Sequence, residues 1–322
     1  MHILITGGAG FLGQRLAQRL LEKPDLQSLT LADVALPSAL THHPKVNVIQ
    51  ADLTDLQAAQ SLVSEQLTAV YHLAAVVSGQ AEANFDLGMA VNVDGTRHLL
   101  EAVRHQAPGA QFIFASSLAV FGGDLPNIIN ESTVVTPQSS YGTQKAICEL
   151  LVNDYTRKGY IDGRVLRLPT VCVRPGKPNA AASSFVSSII REPLQGQMAV
   201  CPVEESLPIW LASPGTTVAN LAHALTLQPE QFAASQWGHS RTINLPGLTV
   251  TIKDMIQALA QVANAAVTDQ IQRQPDEKIS AIVASWPSRF DVSLARSFGF
   301  AQDENFEEII RAFVREELSE QP

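Results

Sequence analysis

Tyr141 and Lys145 stand four residues apart in Tyr141-Gly142-Thr143-Gln144-Lys145, a spacing that puts both side chains on one face of a helix. A free phenol ionises near pH 10. A tyrosine that takes protons near neutrality must be brought down by about three pH units, or about 4 kcal/mol. A neighbouring ammonium does this by stabilising phenolate, and Lys145 is spaced to supply it. Ser116 and Ser117 end the apolar run Gln111-Phe112-Ile113-Phe114-Ala115. That is the carboxyl end of a strand, where open α/β sheets bind ligands. A hydroxyl there can hold the oxygen that Tyr141 deprotonates. The chemistry these residues suit is removal of a proton from an alcohol. Tyr-x-x-x-Lys also arises by chance on helix surfaces, so the rest of the chain has to position it.

A second group of residues suits phosphate. Gly7-Gly8-Ala9-Gly10-Phe11-Leu12-Gly13 lies between the apolar run His2-Ile3-Leu4-Ile5-Thr6 and an amphipathic stretch at 11–22. Gly7 permits a tight turn, Gly10 lets a pyrophosphate approach the backbone, and Gly13 lets helix and strand pack closely. The N–H groups of the helix start, at Phe11 and Leu12, face an anion with the positive end of the helix dipole. Asp33 follows the second apolar run, twenty residues beyond Gly13, where a carboxylate binds the adenine ribose hydroxyls. A carboxylate there repels a 2′-phosphate, and Val34 and Ala35 bring no cation to welcome one. The pattern therefore implies NAD rather than NADP.

These residues need a sheet to carry them. Strand-like runs at 29–32, 46–49, 69–73, 111–115 and 163–168 alternate with helical stretches at 56–67, 90–105 and 140–157. Such alternation predicts an α/β fold of Rossmann type, a doubly wound parallel sheet with helices on both faces. The alternation breaks at Pro169. The expected division is an NAD-binding domain over 1–169 and a smaller α/β lobe, mainly for substrate, over 170–322. In that lobe the periods predict helix at 251–264, strand at 267–272 and helix at 305–317.

The 322 residues carry 22 Lys and Arg against 31 Asp and Glu, a net charge of −9 that disfavours nucleic acid and anionic membranes as partners. No run approaches the ~20 apolar residues of a membrane helix, and the first residues already read as a strand rather than a leader. Cys148, Cys172 and Cys201 are odd in number and far apart, which suits free thiols in a reducing cytoplasm. The eight histidines have no metal-ligand spacing, so no metal is expected.

With Asp52-Leu53, His72-Leu73-Ala74-Ala75 and Asn92 standing in order between the glycine turn and Ser116-Ser117, the chain resembles the extended short-chain dehydrogenase/reductases of the epimerase/dehydratase branch. The resemblance implies that Ser117, Tyr141 and Lys145 are the catalytic set, with Lys145 also on the cofactor ribose. It implies adenine contacts at Asp52 and Leu53 and cofactor contacts along the backbone at Leu73, Ala74 and Ala75. Asn92 by resemblance orders the active-site helix beside the cofactor; as a residue it is equally a helix cap. It further implies a homodimer through the helices at 90–105 and 140–157.

Dehydratases of this kind carry an Asp-Glu pair after the catalytic hydroxyl residue, whereas Ser117 is followed by Leu118-Ala119-Val120. Sugar-nucleotide epimerases carry an Arg-Asp-Tyr and His-Val-x-Asp strand, and here Leu207-Pro208-Ile209-Trp210-Leu211-Ala212-Ser213-Pro214 stands in its place. The segment 167–185, Arg191-Glu192-Pro193-Leu194 and Trp286-Pro287-Ser288-Arg289-Phe290 instead resemble a group that oxidises the C2 hydroxyl of four-carbon sugar acids of the D-erythronate kind. A small sugar acid needs a fixed cation. Arg174, and less so Lys177, lie just past the last strand, and bidentate Arg suits a carboxylate. Ser78 and Thr170 are positioned as substrate hydroxyl contacts or as turn caps. Trp210 and Trp286 read as core aromatics. Nucleotide-sugar 4-epimerisation and a non-catalytic NAD-binding regulator are the alternative functions.

Overall fold

The computed structural model describes residues 1–36, 40–233 and 240–318. The chain runs β1 (His2–Thr6), α1 (Phe11–Leu21), β2 (Ser28–Asp33), β3 (Val46–Gln50), α2 (Leu56–Ser61), β4 (Ala69–His72), α3 (Ser78–Ala83), α4 (Phe85–Gly88), α5 (Gly95–Gln106), β5 (Gln111–Ser117), α6 (Ser140–Arg157) and β6 (Asp162–Leu168). It continues through β7 (Thr170–Val171), α7 (Ser184–Leu194), β8 (Ala199–Cys201), β9 (Pro208–Ala212), α8 (Pro214–Ala224), α9 (Pro229–Ala233), β10 (Thr242–Asn244), β11 (Leu248–Thr251), α10 (Ile252–Val262), β12 (Ile271–Arg273), α11 (Glu277–Ala284), α12 (Ser293–Ser297) and α13 (Phe306–Phe313).

Seven parallel strands form the main sheet in the order β10-β6-β5-β4-β1-β2-β3. Both faces are covered, which is why its strands are near-continuous apolar runs rather than alternating ones. Phe112 and Phe114 on β5 are fully buried against α5 and α6, while Ile113 between them faces the opposite core. α1 presents Gly13, Leu16, Ala17 and Leu20 to the sheet at i, i+3, i+4 and i+7. Strand order reverses between β1 and β4, opening the crevice where doubly wound sheets take ligands. The glycine turn follows β1 and Leu73-Ala74-Ala75 follows β4, so both border that crevice.

The second lobe joins β9 to β7 and β11, and β8 to β12, around an apolar core from α7, α10, α11 and α13. The chain crosses back over the expected boundary at 169. β10 becomes the edge strand of the main sheet beside β6, and α8 packs on α1. Among the described residues no helix is long and apolar enough to cross a membrane.

Four sequence expectations change. The helix expected over 56–67 stops at Ser61, because the chain turns to bury Leu62 and Val63. The helix expected from 90 begins as a wide π-type turn at Met89–Asp94 and is α-helical only from Gly95. The strand expected over 267–272 is a 3-10 helix, Ala265–Gln270, capped by Asn264, and only then β12. The last helix is α-helical to Phe313 and ends in a π-type turn at Val314–Leu318, where Glu316 and Glu317 both pair with Arg15 of α1.

Candidate active site

A cavity of about 360 Å³ opens over the crevice and reaches into the second lobe. Gly7, Gly10, Phe11, Leu12, Gly13, Leu73 and Ala75 form one side, with Ser78, Ser116, Ser117, Tyr141 and Lys145 behind them. Thr170, Val171, Arg174, Asn179, Ala181, Ser183 and Trp286 close the other end.

The glycine turn is built for close approach. Gly7 has φ +72°, and a Cβ at Gly13 would lie 2.2 Å from the Gly7 carbonyl oxygen. At Gly10 a Cβ would meet only that same oxygen, at 3.1 Å, and would otherwise fill the cavity mouth. No side chain caps the start of α1. Asp33 closes the far side of the turn: its Oδ2 accepts the Ala9 N–H at 3.0 Å and its Oδ1 the Ala35 N–H at 3.3 Å. The open cradle, the uncapped helix start and the carboxylate beside them fit the pyrophosphate and adenine ribose of NAD.

Tyr141 sits in the first turn of α6. That turn is fixed by Ser139, whose Oγ accepts the Gly142 N–H, and by Glu82 of α3, which accepts the Ser140 N–H at 2.8 Å. Lys145 lies one turn on, almost wholly buried. Its Nζ donates to the Ala115 carbonyl at 2.8 Å and stands 5.7 Å from the centre of the Tyr141 ring. Its other two protons have no hydrogen-bond acceptor among the described residues. Ser117 Oγ accepts the Ala119 N–H at 3.1 Å, which leaves the hydroxyl proton free to donate.

Burial pushes the Tyr141 phenol up to about 12, against the pull of the Ser117 hydroxyl and the Arg174 guanidinium. In the protein alone, desolvation of the phenolate outweighs the two groups that stabilise it. Burial also drives Lys145 down to about 8, with Cys148 and Glu149 pulling the other way.

Arg174 reaches the cavity from the loop after β7. Burial lowers its pKa, and its Nε is shielded from solvent without a hydrogen-bond partner. No carboxylate pairs with it among the described residues. Lys177 is exposed and outside the cavity. Thr170 lines the cavity and is buried. Ser78 lines it too, but its Oγ accepts the Ala182 N–H at 3.0 Å and so holds the 179–182 loop.

Asn92, Asp52, Leu53 and Ala74 do not line the cavity. Asn92 is buried. Its Oδ1 accepts the Val76 N–H, and its Nδ2 donates to the Val76 carbonyl and, at 2.7 Å, to Gln144 Oε1. It ties the segment after β4 to α6. Asp52 accepts from the Thr54 N–H and hydroxyl, capping its own turn. Ala74 backs the glycine turn, where its N–H lies 2.7 Å from the position of a Cβ on Gly7.

Sequence reasoning missed several groups. Trp286 is a cavity wall, while Trp210 is core, stacked 5.0 Å from Phe290. Glu149, one turn beyond Lys145, accepts from Ser116 Oγ at 2.5 Å and takes Arg167 in two hydrogen bonds. The i+4 spacing after Lys145 was the available signal. His72 is buried neutral, pushed down to about 3, between the hydroxyls of Thr6 and Thr96.

Residues 3–224 match the NAD dependent epimerase/dehydratase family. The chain belongs to that family. Within this epimerase/dehydratase family it is 51% identical over 320 residues to a D-erythronate dehydrogenase of Haemophilus influenzae, spanning 99% of this chain and 100% of that one. A D-erythronate dehydrogenase of Cupriavidus necator is 48% identical over 98% of both chains. A solved structure described as a nucleoside-diphosphate-sugar epimerase from Agrobacterium tumefaciens superposes with a TM-score of 0.91 at 43% identity, covering 100% of this chain and 95% of that one. The family's cofactor, NAD, agrees with the geometry around Gly10 and Asp33.

Proposed function

We propose that the chain is an NAD-dependent dehydrogenase that oxidises the C2 hydroxyl of a small sugar acid, D-erythronate or a near relative, to the 2-oxo acid. The observation that carries this reading is Arg174, a half-buried cation with no carboxylate partner among the described residues, facing the same cavity as Tyr141. An unpaired charge drawn partly out of water is costly, and a substrate carboxylate offsets that cost by binding it in the bidentate manner guanidinium favours. Two relatives near half identity, both D-erythronate dehydrogenases, support the same substrate class.

In this reading Gly7, Gly10, Phe11, Leu12 and Gly13 hold the NAD pyrophosphate through backbone groups. Asp33 holds the adenine ribose, and Leu73 and Ala75 form the opposite wall. The two free protons of Lys145 hold the nicotinamide ribose. Bound NAD supplies the hydride acceptor. Arg174 fixes the carboxylate, so that the C2 hydroxyl meets Ser117 and Tyr141. Ser117 donates its free proton to the C2 oxygen. The Tyr141 phenolate takes the hydroxyl proton as the C2–H bond breaks with its electron pair, and the C2–O bond becomes a carbonyl. Thr170 and Ser78 border the remaining substrate hydroxyls. Residues 1–169 carry the cofactor, and 170–322 mainly shape the substrate end.

Arg174→Ala tests the reading. The KM for D-erythronate should rise by about tenfold to a hundredfold, the worth of a charge-assisted hydrogen bond, with NADH affinity kept. An unchanged KM would remove Arg174 as the anchor.

We place the enzyme in the cytoplasm as a homodimer formed through the outer faces of α5 and α6. Three buried cysteines outside any disulfide suit a reducing compartment, and Leu150 on α6 is 73% exposed. Sedimentation at micromolar concentration reads the assembly; a monomer there contradicts it.

A further inference from the structure

The motif Arg191-Glu192-Pro193-Leu194 lies on α7, outside the cavity lining, yet it reaches Arg174 from behind. Arg191 Nη1 donates to the Arg174 carbonyl at 2.6 Å. The Arg174 N–H donates to Ser187 Oγ at 3.1 Å. Both backbone groups of Arg174 are therefore held by one face of one helix. Arg191 Nη2 is itself fixed by Ser188 Oγ at 3.2 Å and by Glu192 Oε1 at 2.6 Å. Ser187, Arg191 and Glu192 are 1%, 3% and 8% exposed, so the clamp sits in the protein interior.

The loop that carries Arg174 needs such a device. Arg174 feels Arg191 as a like charge, and Glu192 is the carboxylate paired with Arg191. Among the described residues the cluster keeps one positive charge without a carboxylate partner, that of Arg174, which lines the cavity. Repulsion between like charges favours separating the two guanidiniums. Hydrogen bonds at both ends of the Arg174 backbone oppose this.

We propose that Arg191 and Ser187 are positioning residues that aim Arg174 at the substrate carboxylate, and so set the affinity for acid substrates without touching them. The proposal rests on the reading of Arg174 as the carboxylate anchor. It predicts an effect on KM transmitted wholly through Arg174, which a merely structural role would not produce.

The test is a double-mutant cycle on the full chain, with D-erythronate and NAD as the probe. Arg191→Met should raise KM by about tenfold to a hundredfold, as loss of a charge-assisted hydrogen bond does, with kcat and NADH affinity near wild type. Arg191→Lys should recover part of the loss. In an Arg174→Ala background, Arg191→Met should add almost nothing, because residues that act through one another are not additive. Where turnover is too slow, the D-erythronate Kd of the NADH complex replaces KM. If Arg191→Met does not fold, Ser187→Ala with and without Arg174→Ala decides on the same criterion. A wild-type KM in Arg191→Met or, where that variant does not fold, in Ser187→Ala overturns the proposal, as does an equal rise in both backgrounds. If Arg174→Ala itself keeps a wild-type KM, the anchor reading fails first. If Arg174→Ala raises KM while Arg191→Met and Ser187→Ala do not, only the positioning role fails.

Discussion

Arg167 grips Glu149 with hydrogen bonds of 2.9 and 2.6 Å, from Nε and Nη2, directly beneath Ser116. Both side chains are about 95% buried, and the Arg167 guanidinium also lies 4.6 Å from the centre of the Phe121 ring. The pair joins β6 to α6 one turn beyond Lys145. Removing one partner of such a pair strands a buried charge, which costs about 3–5 kcal/mol. Glu149→Gln should therefore lower the unfolding free energy by that amount in urea titration. Ser116→Ala, which deletes only the third hydrogen bond, should cost about 1.5–3 kcal/mol, the worth of a hydrogen bond to a charged group. Equal stability of Glu149→Gln and wild type would contradict the buried pairing.

Tyr141→Phe keeps the ring and removes the proton acceptor. The variant should lose about 10²–10⁴ of kcat, the usual worth of a general base, and still quench its fluorescence with NADH like the parent. Wild-type turnover in stopped-flow assays would take Tyr141 out of the mechanism.

Lys145 gives a pH signature in stability. Its folded pKa of about 8 lies below the unfolded 10.5. Between those values the unfolded chain holds a proton that the folded chain has lost, so stability rises with pH across that window. Below pH 8 the buried ammonium costs about 3 kcal/mol. Lys145→Met should then be more stable than wild type at pH 7 without added NAD, less the loss of the bond to Ala115. The gap should close by pH 10.5. A gap that stays constant from pH 7 to 10.5, read from urea midpoints, would show that Lys145 is not the group responsible.

Asp33 holds the Ala9 N–H of the glycine turn and, in the proposed reading, also takes the adenine ribose. Asp33→Arg should shift the ratio of kcat/KM toward NADP. It should also weaken NAD binding more than loss of the ribose contact alone, because the turn loosens. Asp33→Asn, which keeps an acceptor for Ala9, should retain more of the NAD affinity. Wild-type preference for NADP in steady-state assays would overturn this reading of Asp33.

The first half of the fold was legible because its signals are local. Apolar runs of β1, β2, β5 and β6 are bounded by turns, and α6 was read at its observed limits, 140–157. The glycine turn, Ser117, Tyr141 and Lys145 come together because strand ends and helix starts of a parallel sheet share one edge. What stayed hidden depends on distant partners. β10 is three residues long and pairs with β6 seventy-seven positions earlier, at Thr242 and Val165. Asn92 sits in a π-type turn whose purpose is visible only once Val76 and Gln144 surround it. Trp286 has no period to mark it as cavity wall rather than core. The burial that raises the Tyr141 pKa was hidden too, because charge spacing is written in the sequence and desolvation is not.

The central claim is net oxidation of a sugar acid, and NADH absorbance measures it directly. The purified chain with NAD is offered four- to six-carbon aldonates and, separately, UDP-galactose and UDP-GlcNAc, with sugar analysis of each reaction. NADH should accumulate with D-erythronate or a near relative, one per 2-oxo acid formed, and neither UDP-sugar should change. Interconversion of a UDP-sugar without NADH release, together with no oxidation of any aldonate, would contradict the account.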